Sequence, residues 1–204
     1  MAHEADGDTR AALAAAALRL FAERGFYGAS IAAIADELGL TKQALLHHFG
    51  SKEKLYGTVL EAISAHLATA LADARAEAGT AEDRLKTFFR RFAGWVETNP
   101  AETQLLIREL IDNRRRAGTA ENWYLKPFLE ELTDLALATR RWSGASRARA
   151  LAGIYQLLGA VNYFAISRPT LSNMFGRDAH DDLECAWGAE FDRALAALLD
   201  GSAE

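Results

Sequence analysis

The chain has 204 residues, 50% of them hydrophobic, and a formal net charge of −5. A chain of this length and composition can bury a sizeable core, which excludes a disordered tail. Abundant Ala, Leu, Arg and Glu favour helix over strand. The negative charge argues against broad, non-specific binding of nucleic acid, although net charge describes the whole molecule and one face can still be basic.

The first fifty residues carry three helical patterns. From Arg10 to Arg24, apolar residues recur three and four positions apart, which is typical of a surface helix. Two shorter patterns follow, Ile31 to Leu38 and Lys42 to Phe49, and Ser30 and Thr41 are placed to cap them. In the two shorter patterns we expect a buried core made by the side chains of Ile31, Ile34, Ala35, Leu38, Leu45 and Phe49.

The turn between the two shorter helices is the strongest functional signal in the chain. The sequence Leu38-Gly39-Leu40-Thr41 joins them, and its glycine permits a tight turn. This arrangement predicts a helix-turn-helix, whose second helix projects into the major groove of DNA. The alternative is a protein-binding surface, which would be apolar where this helix carries Lys42, Gln43 and His47. The polar face favours DNA.

Six further helical patterns follow residue 50. Pro127 is expected to start or kink one of them because proline lacks a backbone donor. A break is expected between Pro169 and Gly176. The six patterns run over residues 51–78, 80–98, 100–116, 121–142, 147–167 and 181–199, each bound being approximate.

A longer segment closely resembles the DNA-binding signature of the tetracycline-repressor (TetR) family. Its sequence, from Phe21 to Leu55, is FAERGFYGASIAAIADELGLTKQALLHHFGSKEKL. The resemblance extends over residues 9 to 60, about a quarter of the chain, and implies a transcriptional regulator. The matching features, in family order, are the aromatic pair after Gly25, the Ile34-Ala35 step, Gly39, His48-Phe49 and Ser51-Lys52-Glu53.

The resemblance also implies an all-α architecture with a head and a body. In the family, three helices form the DNA-binding head, a fourth long helix links it to a larger helical body, and the last two helices form a dimer. The patterns along the whole chain indicate nine helices, the family's usual number. We therefore expect a helix-turn-helix DNA-binding domain at residues 1–56 and a ligand-binding and dimerisation domain at residues 57–204.

Candidate DNA contacts lie at the starts of the head's helices and along the third helix. Gln43 can bond adenine through two hydrogen bonds, and Lys42 can bond a guanine or a phosphate. Ser30 and Thr41 are placed for phosphates but would be explained equally as helix caps. The six candidates are Ser30, Thr41, Lys42, Gln43, His47 and Lys52.

Two positions depart from the family pattern. The family commonly has a small residue at the position of Gln43, and at the position of Leu46 a tyrosine that reaches a phosphate. The operator of a relative therefore cannot be carried over to this chain. His47 matches a position that usually contacts DNA in the family, whereas we expect the adjacent His48 to be packed.

The predicted body is rich in aromatic residues. A cavity between helices is how a helical bundle hosts a small ligand, and the resemblance implies one for an apolar or aromatic effector. The alternative is that these residues only fill the core, which is the more frequent role of an aromatic stripe. The ligand candidates are Phe92, Trp95, Trp123, Phe128, Tyr155, Gln156 and Tyr163, with Asn162 and Arg108 as further polar anchors.

Small residues interrupt the helical pattern after residue 146. They are the pairs Ala152-Gly153 and Gly159-Ala160. A glycine inside a helix costs about 1 kcal/mol relative to alanine, so close approach of another backbone is the natural explanation. This favours a homodimer interface, and a tight contact within one subunit fits equally well.

The chain lacks the motifs of an enzyme. Its five histidines show no metal-ligand spacing, and neither a nucleophile elbow nor a phosphate loop is present. Cys185 has no second cysteine for a disulfide, and the acidic start is unlike a secretory signal. No apolar run approaches the roughly 20 residues that cross a bilayer. We therefore expect a cytoplasmic repressor without cofactor or membrane contact, released from a palindromic operator by a small molecule.

Overall fold

The structure is a computed structural model that describes the backbone of residues 2–112 and 124–200 and the side chains of residues 6–111 and 124–200. Within these ranges the chain forms nine α-helices, one 3-10 turn at Arg140–Trp142 and no strand. The all-α prediction is confirmed. The helices are α1 (Ala2–Gly28), α2 (Ile31–Asp36), α3 (Lys42–Phe49), α4 (Lys52–Ala76), α5 (Ala81–Thr98), α6 (Pro100–Asp112), α7 (Lys126–Leu137), α8 (Arg147–Phe175) and α9 (Arg177–Asp200).

The helices belong to two compact units. The first comprises Met1–His66 and Asn99–Tyr124, and therefore contains α1 to α3, the first part of α4, and α6. The second comprises Leu67–Thr98 and Leu125–Glu204, with the rest of α4, α5 and α7 to α9. The expected boundary after residue 56, between a DNA-binding domain and a ligand-binding and dimerisation domain, stays a prediction.

The first unit has its core along α1. The predicted apolar stripe is confirmed, because Leu13, Ala17 and Phe21 are fully buried. α6 packs along the same helix. The ring of Phe21 meets that of Tyr56 on α4 edge to face, with centroids 4.8 Å apart, a geometry that aromatic pairs favour. α4 is thereby fixed against the head through its first turns.

The second unit has an aromatic core on α5. Phe88 and Phe89 are fully buried, and they point toward different neighbours. The ring of Phe88 lies 5.8 Å from that of Phe128 on α7, and the ring of Phe89 lies 6.2 Å from that of Phe191 on α9. α5 therefore joins α7 and α9 in one packed body.

The predicted helix over residues 121–142 is shorter in the structure. α7 covers Lys126–Leu137, and a separate 3-10 turn covers Arg140–Trp142. Pro127 lies in the first turn of α7, where a missing backbone N–H has no helical acceptor to lose. The prediction that Pro127 starts a helix is confirmed, and residues 121–123 lie outside the described part of the chain.

The break predicted between Pro169 and Gly176 is confirmed at Gly176 and is wrong at Pro169. α8 continues through Pro169 to Phe175 and ends at Gly176, whose φ is +84°. Next to this proline, Arg168 forms ion pairs with Glu97 on α5 and Glu184 on α9, which connect this part of α8 to the rest of the body.

Two helices, α4 and α8, are long and apolar enough by length and composition to cross a membrane. The expectation that no segment approaches this limit is wrong for α8, since residues 150–167 carry no charge. Core helices of soluble proteins pass the same test. In α8 one side packs into the body through Ile154, Leu157 and Val161, while the opposite side is exposed.

Candidate nucleic-acid interface

The turn between α2 and α3 has the geometry of a helix-turn-helix. After α2, the N–H of Gly39 donates to the carbonyl of Asp36 over 3.1 Å, and the N–H of Leu40 donates to the carbonyl of Ala35 over 3.0 Å. Gly39 has a φ of +66°, in the left-handed region where a glycine is free of Cβ strain. The glycine thus reverses the chain within four residues and lets α3 begin at Lys42.

The core behind this turn differs from the prediction at two positions, because Ile31 is only half-buried and Leu38 is exposed. Ile34, Leu45 and Phe49 are buried as predicted. Leu38 is 37% exposed, so its expected place in the core is wrong. α2 ends two residues before it, at Asp36. Leu38 therefore lies in the turn and not on the inward face of a helix.

Side-chain caps begin α2, α3 and α4. The Oγ of Ser30 accepts from the N–H of Ala33 over 3.0 Å, and the Oγ1 of Thr41 accepts from the N–H of Ala44 over 3.2 Å. The predicted caps are therefore confirmed. Ser51 caps α4 in the same way, over 3.2 Å to the N–H of Lys54. Ser30 and Thr41 are also exposed, so capping leaves their hydroxyls within reach of a phosphate.

The exposed side of α3 carries four of the six predicted DNA contacts. Thr41, Lys42, Gln43 and His47 are all exposed, and we call these four the recognition face. Gln43 and His47 are four residues apart, so they lie on the same side of the helix. The buried Leu45 holds the opposite side in the core of the head. The structure brings these candidates together on one polar surface.

Lys52 is the first residue of α4 and is held in place by an aromatic ring. Its Nζ lies 4.6 Å from the centroid of Phe26, within the range of a cation–π interaction. Partial burial lowers the pKa of Lys52, and the neighbouring Glu53 opposes that shift. A cation in the first turn also opposes the helix dipole. The helix dipole therefore does not favour this lysine, whereas the contact with Phe26 does.

His48 lies apart from the recognition face, as predicted. Its side chain is 11% exposed, and its Nδ1 is 3.4 Å from a carboxylate oxygen of Asp6 on α1. Next to it, the guanidinium of Arg10 lies 4.9 Å from the ring centroid of Phe49. At the C-terminal end of α3, His48 and Phe49 thus make contacts within the head, whereas His47 stays exposed.

Two side chains of α6 bind the head. The Nε of Arg108 donates to the carbonyl of Ala22 and its terminal nitrogen to the carbonyl of Glu23, each over 3.1 Å. The hydroxyl of Tyr56 on α4 donates to the buried carboxylate of Glu109 over 2.5 Å. Arg108 was predicted as a possible ligand anchor. In the structure its guanidinium instead donates to backbone carbonyls of α1. These pairs are too far apart in sequence for local patterns to reveal.

The predicted ligand residues do not come together as one group. Phe92 and Phe128 are buried in the second unit, and Trp95 stacks on Phe92 with centroids 6.1 Å apart. The exposed side of α8 instead carries Tyr155, Gln156 and Tyr163, whereas Trp123 lies outside the described residues. The sequence prediction omitted Phe88, whose ring lies 5.9 Å from that of Phe92.

The small residues of α8 have two different explanations. A Cβ at Gly153 would clash with the ring of Trp142, so a contact within the subunit accounts for that glycine. Ala152, Gly159 and Ala160 are exposed, and nothing lies within 4 Å of a Cβ built on Gly159. The structure thus supports the within-subunit alternative at Gly153 and leaves the other three on an open surface.

The head matches a known family along almost its whole length. Residues 13–59 match the family model of the bacterial regulatory proteins of the tetR family. The head of this chain is therefore similar to the DNA-binding segment of the tetR family. The match includes all of α2 and α3, the turn between them and the first turns of α4.

Two curated relatives are transcription regulators. The transcriptional activator FasR of Mycolicibacterium smegmatis is 31% identical over 100 residues, which are 49% of this chain and 46% of FasR. The transcriptional repressor AcnR of Corynebacterium efficiens is 35% identical over 57 residues, 28% of this chain and 30% of AcnR. Each match therefore spans less than half of the relative. One relative activates and the other represses, so the likeness does not choose between the two roles.

Solved structures resemble the chain over nearly its full length. FadR from Bacillus subtilis, solved in complex with stearoyl-CoA, has a TM-score of 0.68 at 16% identity and matches 93% of this chain and 97% of its own. HlyIIR, a hemolysin II transcriptional regulator, has a TM-score of 0.65 at 20% identity, with 95% and 98% matched. At these identities the likeness establishes the fold, including the helical body.

Proposed function

We propose that the protein is a transcriptional repressor that binds a palindromic operator as a homodimer and leaves it when a small molecule binds the body. The recognition face is the observation that carries the DNA-binding part. It is a polar, exposed surface on the second helix of a well-formed helix-turn-helix, with capped helix starts around it. A protein-binding face would be apolar there.

We assign different roles to the residues of this interface. Gln43 reads a base edge, and Lys42 contacts a guanine or a phosphate. Lys52, held over Phe26, contacts a phosphate and fixes the register of the head on the duplex. Ser30 and Thr41 add hydroxyl donors to phosphates while still capping their helices. His47 completes the surface one turn beyond Gln43.

An exposed apolar stripe on α8 supports the homodimer. Its members are spaced three or four residues apart, on the side opposite the buried Ile154 and Val161. Tyr163 is 73% exposed and Ile166 is 45% exposed, and contiguous apolar surface of this kind marks an interaction site. A second copy of the same face would cover it. We call this stripe the α8 face, and it comprises Ala152, Tyr155, Gly159, Tyr163 and Ile166.

Release by a ligand requires that the body influence the head. α4 begins in the first unit and continues into the second, so a ligand that favours one position of α4 in the body can shift the head. Such a ligand acts only if it binds the two states with different affinities. Phe92, Trp95 and Phe128 remain the proposed ligand residues.

Two further ligand candidates, Tyr155 and Tyr163, are assigned to the α8 face instead. We also propose that the protein is cytoplasmic.

Selection of bound duplexes from a random DNA pool tests the proposal. We expect a palindrome whose half-sites are about 34 Å apart, one helical turn. Affinity should fall steeply with salt because phosphate contacts release counterions. The variant K42A should bind more weakly than the native chain, whereas K126A, which changes an exposed lysine of α7, should bind as the native chain does. If no sequence were enriched, the protein-binding alternative would replace this proposal.

A further inference from the structure

A compact group of possible metal ligands lies in the first turns of α9. His180, Asp181 and Glu184 each place one donor atom within 4.8 Å of the other two. The spacing explains this, because Glu184 lies four residues after His180 and three after Asp181, so it neighbours both on the helix surface. The group lies wholly within the second unit, whereas the recognition face and the residues proposed to bind DNA belong to the first.

The imidazole of His180 is the unusual member of this group. The residue is 8% exposed, and its Nε2 is buried without a hydrogen-bond partner. That nitrogen lies 3.7 Å from an oxygen of Glu184. A buried polar atom without a partner is costly, and a cation bound between this nitrogen and Glu184 would supply that partner. This observation is independent of the acidic residues around it.

The distances suit a transition-metal ion. Zinc binds histidine nitrogen and carboxylate oxygen at about 2.0 to 2.2 Å, so two of its ligands lie at most about 4.2 Å apart. The separation of 3.7 Å between His180 and Glu184 falls within that limit. The carboxylate of Asp181 is exposed and lies 3.9 Å from Nδ1 of His180, so it would have to turn toward an ion at Nε2, and water would complete the coordination. One histidine and two carboxylates therefore match a divalent ion such as Zn²⁺.

Arg168 competes for one of these ligands. Its Nε lies 3.0 Å from the same oxygen of Glu184 that faces His180, and it also pairs with Glu97 on α5. A metal ion would have to replace this guanidinium at Glu184 or use the other carboxylate oxygen. Arg168 would keep its partner Glu97 in either case.

We propose that His180, Asp181 and Glu184 form a binding site for a divalent transition-metal ion, with Zn²⁺ as the probe ion, and that Arg168 lowers its affinity. The sequence indicated no metal site because only the spacing of the histidines relative to one another was considered. The signal is a histidine followed by carboxylates one and four residues later. The site is independent of operator binding, so each proposal can fail without the other.

Calorimetric titration of the full-length, chelator-treated protein with zinc chloride tests the site. We expect one zinc ion per chain. E184Q and D181N should each weaken binding by at least about tenfold, the smallest loss seen when supporting residues of metal sites are changed. D182N is the matched control, because it removes an adjacent exposed carboxylate outside the cluster, and it should bind as the native chain does. Thermal melts confirm that each variant is folded.

R168Q provides a test in the opposite direction. Removal of the guanidinium frees Glu184, so zinc should bind more tightly than to the native chain. The proposal would be overturned if the native chain bound no zinc, if E184Q and D182N had equal affinities, or if R168Q bound zinc no more tightly. Substitution of cobalt supplies a second readout, since its visible absorption should be present in the native chain and in D182N and lost in E184Q.

Discussion

The recognition face on α3 and the α8 face are both exposed, but they differ in chemistry. On α3 the buried Leu45 is opposed by Gln43 and His47, whereas on α8 the buried Ile154 is opposed by Tyr163 and other apolar side chains. A single chain can leave a polar face in water at little cost, but an apolar face loses the free energy that burial would give. The contrast indicates a nucleic-acid partner for one face and a protein partner for the other.

The largest effect is expected from a charge in the α8 face. Y163E would place a carboxylate between two apolar surfaces, and a buried charge without a partner is strongly unfavourable. We expect the variant to sediment as a monomer and to lose more than about a hundredfold in operator affinity, because each half-site then binds alone. K126E, on an exposed position of α7, should keep the mass and affinity of the native protein. A dimeric Y163E would show that the α8 face has another role.

A smaller effect is expected from the recognition face. Q43A should lose about 1 to 3 kcal/mol of binding free energy at one base pair of each half-site and relax the preference there. Competition assays with duplexes that differ at single positions measure this loss. Equal weakening at every position would instead mean that Gln43 contacts the backbone. The oligomeric state should be that of the native protein, which separates this variant from Y163E.

The contact of α6 with the head should affect stability before it affects recognition. Y56F removes the hydroxyl that donates to the buried Glu109, and we expect a loss of about 1 to 3 kcal/mol in the free energy of unfolding. Chemical denaturation measures it. Y27F is the control because Tyr27 is 61% exposed, and it should be within about 0.5 kcal/mol of the native protein. Equal stability of the two variants would show that the hydrogen bond between Tyr56 and Glu109 does not stabilise the head.

The smallest effect is a pH dependence in the body. The backbone N–H of Arg140 donates to Glu82 over 2.7 Å and, as the main cause, lowers the pKa of that carboxyl. Its contribution to stability is therefore present above the unfolded pKa, near 4.5, and is lost as the pH falls through the folded pKa. The native protein should be more stable than E82Q at pH 7, and this difference should shrink toward pH 3. A difference that did not change with pH would contradict the role of the Glu82 carboxylate.

Local signals predicted the head well. α3 has the predicted bounds because a cap at Thr41 and a glycine at position 50 fix its two ends. Leu38 was misplaced because the predicted helix ran two residues beyond its true end at Asp36. The position of Gly39 was sufficient to predict the turn, since its left-handed backbone is a local property.

The body depends on contacts that are distant in sequence. α8 continues through Pro169, and the neighbouring Arg168 pairs with Glu97 on α5 and Glu184 on α9, partners that no window around the proline contains. Tyr56 and Glu109 are 53 residues apart, and neither position has a spacing pattern that pairs it with the other. The aromatic ligand candidates were chosen by residue type alone, and residue type does not separate the buried Phe92 from the exposed Tyr163.

The number of chains bound to one selected duplex tests the central claim most directly. Sedimentation of the native protein with its selected DNA gives the mass of the complex. If α3 reads each half-site and the α8 face joins two copies, the complex will contain two chains on one palindrome with half-sites about one helical turn apart. A single chain on a site without a palindrome would contradict this account.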